Sequence, residues 1–82
     1  MSGYQGWKNY ETWNVVLWLA NDEVLYHAAK RAWVLRARHG SPYKALLALL
    51  KSNFVTGDGV SLRNRKVSRR EVNEAIRDLA LD

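Results

Sequence analysis

At 82 residues the chain is the size of one domain, and 48% hydrophobic content with four Trp and four Tyr is enough apolar matter for a core. The absence of Cys excludes disulfides, thiolate metal sites and a cysteine nucleophile. The net charge of +5 and pI near 9.9 favour anionic partners, and the longest apolar run, Val15 to Ala20, is far short of the roughly 20 residues of a membrane span.

The N-terminus shows no charged-then-apolar signal pattern, so a soluble cytoplasmic protein is expected, with no membrane partner. Residues 1–8 read as a loose arm on a single domain spanning 1–82. Tyr4, Trp7 and Tyr10 are spaced by three and either fold back onto the core or offer rings to a partner. Asn9 is placed to cap a first helix over about residues 10–20. Trp13, Val16, Leu17 and Ala20 fall at i, i+3, i+4 and i+7, one helical face that Val15 and Leu19 widen. Asn14 and Asn21 mark the least apolar side, and Trp18 lies towards it. A helix this apolar around its circumference needs cover from other helices, so the first helix is expected to be the most buried. Trp18 is then either covered by the N-terminal arm or, with Trp7 and Tyr4, an exposed interface anchor.

Asn21 is placed to cap a second helix over about residues 22–38, with Asp22 and Glu23 in its first turn. Its inner face reads Leu25, Ala28, Ala29, Ala32 and Leu35, small enough for close approach to the bulky first helix. Gly40 and Ser41-Pro42 terminate it and begin the next helix, over about residues 42–52. That helix buries Tyr43, Leu46, Leu47 and Leu50, with Leu49 beside them and Lys44 and Lys51 facing out. Thr56-Gly57-Asp58-Gly59 is turn chemistry. Flanking Val55-Thr56 and Val60-Ser61-Leu62 read as loop in preference to a very short hairpin. Ser68 and Glu71 form a capping box, with Val67 and Val72 as a hydrophobic staple, for a last helix over about residues 69–80. Its inner face is Val72, Ala75, Ile76 and Leu79. The expected fold is all-α, a compact four-helix domain with an irregular connector before the last helix.

The functional signal is basic. Arg63, Arg65, Lys66, Arg69 and Arg70 place five cations in eight residues. Arg69 and Arg70 fall in the first turn of the last helix, where exposed cations oppose the dipole at roughly 0.3–1 kcal/mol each. Arginines around a helix start suit phosphate or carboxylate. The competing reading is a solvated charge run in which Arg70, Glu74 and Arg77 pair along one face. Lys30, Arg31, Arg38 and His39 form a second basic strip, and the sequence does not place it relative to the first. Major-groove reading is disfavoured, because the last helix mixes Asn73 with Glu71, Glu74 and Asp78. No catalytic residue, cofactor or metal is expected. His27 and His39 lack ligand spacing, His27 is placed to pair with Glu23, and Asp58 has no neighbouring carboxylates for a calcium loop.

The run Asn9-Tyr10-Glu11-Thr12-Trp13-Asn14-Val15, then Leu17-Trp18-Leu19 and Asn21-Asp22-Glu23, resembles a group of small uncharacterised proteins of phages and bacteria. Asp58-Gly59-Val60 is similar to a turn those proteins carry before a final helix. The resemblance implies an accessory protein of phage context, and host-cell cytosol if phage-encoded. It brings no activity or catalytic residue. Relatives tend to be acidic after the turn, so any role of the basic cluster is read for this chain alone. The preferred expectation is a non-enzymatic module binding nucleic acid or a nucleoprotein complex through Arg63, Arg65, Lys66, Arg69 and Arg70, with Arg31 and Arg38 as outliers. The alternatives are a counter-defence inhibitor of a host complex such as a CRISPR effector, acting through protein contacts, and a small homodimer.

Overall fold

A computed structural model describes residues 6–51 and 54–82. The order is α1 (Tyr10–Asn21), α2 (Glu23–Val34), α3 (Arg36–His39), α4 (Pro42–Leu50) and α5 (Arg69–Leu81). No strand occurs among the described residues. The expected second helix is thus two. At Leu35 the chain leaves the helix and resumes as α3, and the Arg36 guanidinium lies 3.8 Å over the Trp33 ring and donates to the Trp33 carbonyl at 2.7 Å. A carbonyl released by the break therefore has a partner.

The helix starts follow local chemistry. Asn9 accepts from the Thr12 N–H, Ser41 from Lys44 and Ser68 from Glu71, with Pro42 opening α4. Asp22, not Asn21, caps α2, accepting from the Leu25 N–H at 3.1 Å. Asn21 instead donates to the Leu17 carbonyl. Gly40 closes α3 in the left-handed region, at φ 95°. The capping box at Ser68 is half formed. Glu71 turns away from it and accepts from the Lys8 N–H at 2.8 Å, while the Ser68 N–H goes to the Thr12 hydroxyl. The segment expected to be a loose arm is thus tied at Lys8, and Trp7 is half-buried. Tyr4 lies outside the described residues.

The core is α2 set against α1, α4 and α5. Ala29 and Ala32 are fully buried, so the alanine face does admit close neighbours. Leu46, Val72 and Ile76 pack with them. Leu49, expected beside that core, is largely outside it. The first helix corrects the sequence reading most. Its buried residues are Thr12, Asn14, Val15 and Leu19, with Trp18 packed against the core, while Leu17 and Ala20 are exposed. At about 100° per residue this face is opposite the one marked by Trp13, Val16, Leu17 and Ala20. The helix is apolar on both sides, so hydrophobicity does not choose between them. Polar partners do. α1 keeps four of its twelve residues buried and α2 three of its twelve, and α2 is the element that touches α1, α4 and α5 alike.

Those partners belong to the connector. Val60, Leu62 and Val67 join the core, and one antiparallel bridge joins Val55 to Ser61, less than a hairpin and more than a free loop. Asn9 donates to the Lys66 carbonyl at 2.6 Å, and Thr12 accepts from the Ser68 N–H at 2.8 Å. Asn14 donates to the Asp58 carboxylate at 2.8 Å and accepts from the Thr56 hydroxyl at 2.7 Å. Trp18 Nε1 donates to the same Asp58 oxygen at 2.9 Å, and its ring lies over Gly57, where a Cβ would stand 2.4 Å from ring carbons. The connector is irregular in backbone but laced to α1 at both ends. Trp18 therefore takes its cover, among the described residues, from the 56–59 turn.

Candidate cationic cleft

The Ser61–Arg70 stretch is wound by its own polar side chains. Ser61 accepts from the Arg63 N–H and Asn64 from the Lys66 N–H, while the Val67 N–H returns to the Asn64 carbonyl. These turns hold Arg63, Arg65 and Lys66 outward on a fixed backbone. Tyr43 sets the height of the stretch against α4. Its hydroxyl donates to the Leu62 carbonyl at 2.7 Å, one residue before Arg63, and its N–H donates to Asn73 of α5 at 2.7 Å. The Asn73 side-chain oxygen is thus committed to the α4 start. The Arg69 guanidinium lies 5.3 Å from the Tyr43 ring centroid, a cation–π contact.

A cleft of about 530 Å³ opens here, lined by Lys44, Leu47, Ala48 and Lys51 of α4 and its cap, with Ser41, Tyr43, Arg63 and Arg69. Lys44, Leu47, Ala48 and Lys51 fall at i, i+3, i+4 and i+7, so they share one face of α4. A second depression of about 740 Å³ is lined by Ser61, Arg63, Asn64, Arg65 and Lys66. Arg63 lines both. No carboxylate lines either one, and Arg65, Lys66, Arg69 and Arg70 form no ion pair among the described residues. Lys44, Lys51 and Arg69 on one depression and Arg65 and Lys66 on the other therefore set positive fields on either side of Arg63.

Arg63 and Arg69 line one depression with Lys44 and Lys51, and Arg63, Arg65 and Lys66 line the other. Sequence reasoning missed Lys44 and Lys51 because a lysine on a helix face normally means only solvent. Their spacing on the Leu47 face was the available signal. Arg70 is exposed but lines neither depression, and neither do Arg31 and Arg38. In the second strip Lys30 lies 5.1 Å over the Tyr26 ring. The Arg70, Glu74 and Arg77 pairing of the competing reading does not occur among the described residues, and Arg77 pairs with Asp78 at 3.4 Å. The expected His27–Glu23 pair is also absent, and His27 sits edge-on to Tyr26.

Residues 1–82 match a protein family over their whole length. The chain belongs to the family of unknown function DUF7249. No curated protein and no solved structure matches it. Within this DUF7249 chain, Asn9, Thr12, Asn14, Trp18 and Asp22 act as caps and connector ties. Five of the residues that carry the N-terminal resemblance thus hold the fold together. The cationic cleft is built from others. No group of three or more metal-ligating side chains occurs among the described residues, and no helix is long and apolar enough to cross a membrane.

Proposed function

We propose that this chain is a non-enzymatic binding module whose cationic cleft engages the phosphate backbone of nucleic acid, free or within a nucleoprotein complex. The observation that supports the reading is the convergence of Lys44, Lys51, Arg63 and Arg69 on one cleft without a lining carboxylate. Structural ion-pair networks place carboxylates among their arginines, whereas the lining of a phosphate site is cationic. Arg65 and Lys66 extend the same field along the adjoining depression. The test is fluorescence anisotropy of labelled nucleic acid over a salt series. Binding that weakens steeply with salt, and weakens further in Lys44→Ala/Arg69→Ala but not in Arg31→Ala/Arg38→Ala, supports it. A flat salt response, or equal loss in both pairs, removes it.

A second reading is a phage counter-defence protein that inhibits a host complex through protein contacts. It is favoured by an apolar surface around Trp18, where Leu17 is 36%, Val24 72% and Val55 48% exposed. Asp22 and Asp58 border it. Under this reading nucleic acid alone does not bind, and Val24→Ser weakens capture of the complex.

A further inference from the structure

We infer that the cleft takes an unpaired nucleotide, so that the strand it binds is single. This rests on the nucleic-acid reading above and narrows it. The cleft has a floor as well as a rim. Leu47 and Ala48 lie between Lys44 and Lys51 on one face of α4, with the edge of Tyr43 beside them. A volume of about 530 Å³ is within the range of pockets that enclose small molecules, commonly about 300–1,000 Å³. A duplex presents phosphates on a convex cylinder and keeps its bases stacked inside, so it meets the cations and leaves the apolar floor uncovered. A single strand can turn one base out of the stack and cover that floor while its phosphates stay on the rim.

The walls are fixed in advance. Tyr43 is almost fully buried and held at both its hydroxyl and its N–H, so it is a support and not a stacking ring. The planar guanidinium of Arg69 stands against it, and an arginine plane is itself a stacking surface for bases. Arg63 borders both depressions, so a strand leaving the cleft past Arg63 brings its next phosphate to Arg65 and Lys66. The arrangement selects unpaired over paired strands.

The experiment compares oligothymidylate, oligouridylate and a mixed-sequence duplex, each about twelve nucleotides long to span a site of this class. Affinities are measured at one salt concentration and then across a salt series. Either single strand is expected to bind at least about tenfold tighter than the duplex, a difference of about 1.4 kcal/mol. The DNA and RNA probes separate the two sources of an unpaired strand. Ala48→Leu places a bulkier side chain across the floor from an exposed helix position, and is expected to lower single-strand affinity to the duplex level. Equal, salt-sensitive binding of all probes overturns the inference and leaves the phosphate reading standing. Retention of the single-strand preference in Ala48→Leu also overturns it. Failure of every probe to bind removes the phosphate reading itself.

Discussion

The Thr56 hydroxyl donates to the Asn14 side-chain oxygen at 2.7 Å, joining the middle of α1 to a turn 42 residues away in a place closed to solvent. The same hydroxyl accepts from the Val60 N–H, so one contact fixes both the turn and its position on the helix. Replacing Asn14 by Leu keeps similar bulk but leaves Thr56 without an acceptor and Asp58 with Trp18 as its remaining donor. A buried polar group left unpaired costs about 1–3 kcal/mol. Asn14→Leu is expected to lose about 2–3 kcal/mol in urea unfolding. A loss under about 0.5 kcal/mol, the level of an indifferent surface change, contradicts this account of how the turn is held.

Gly57 lies beneath the Trp18 ring because no other residue fits there. A Cβ would stand 2.4 Å from two ring carbons, and the ring cannot retreat without drawing Nε1 away from Asp58. Overpacking of this kind costs roughly 1–3 kcal/mol. Gly57→Ala is expected to fall in that range, and to cost distinctly less in a Trp18→Phe background, where the smaller ring vacates the space. A double-mutant cycle reads the difference as coupling. Additive losses show that the strain lies elsewhere in the turn.

Asp58 titrates below the ordinary carboxylate range, because Trp18 and then Asn14 donate to its ionised form. A carboxyl with a depressed folded-state pKa contributes stability that is complete above the unfolded pKa, about 3.9, and fades as pH falls through the folded value. The turn is therefore expected to loosen below about pH 4. Trp emission should shift in that window, and the shift should be absent in Asp58→Asn, which has no proton to take up. The same acid transition in both proteins assigns it to other carboxyls.

The helix boundaries were legible where the signal is local. Asn9, Gly40, Ser41-Pro42 and Ser68 act on backbone groups three or four residues away, and each does what its type favours. The side of α1 that faces inward was not legible. Val15 and Leu19 argue for one side and Val16 and Leu17 for the other, and the choice is made by Thr56 and Asp58 in a distant segment. Asn14 was the overlooked clue, since a polar residue within an apolar run implies either a solvent side or a committed partner. The site was legible in part. The density of Arg63, Arg65, Lys66 and Arg69 is visible along the chain, whereas their meeting with Lys44 and Lys51 depends on Tyr43 clasping the Leu62 carbonyl.

That clasp is testable by itself. Tyr43→Phe keeps the ring under Arg69 and removes only the hydroxyl that serves the Leu62 carbonyl. The loss is expected to be about 1–2 kcal/mol, because the carbonyl is left buried. Amide hydrogen exchange at Arg63 and Asn64 should quicken. Unchanged exchange there shows that the turn at Arg63 and Asn64 is held without the Tyr43 hydroxyl.

Lys51 separates stability from binding. It ends α4 at φ 68° and ψ 151°, a backbone conformation that side chains other than glycine rarely adopt, and its side chain lines the cleft. Left-handed φ costs an L-residue roughly 1–2 kcal/mol, and glycine escapes this while giving up about 0.5–1 kcal/mol to its freer unfolded chain. Lys51→Gly is therefore expected to leave the fold unchanged or more stable by up to about 1 kcal/mol. It also removes one cation from the rim. Each phosphate contact to a single strand contributes about 0.7 to the slope of log affinity against log salt, so the wild-type slope is expected near −4 for six contacts and to shrink by about 0.7 in the variant. Thermal unfolding and a salt series on the same preparation measure both. A variant that loses stability together with affinity shows that the Lys51 side chain holds the fold, and a variant with an unchanged slope shows that it does not meet a phosphate.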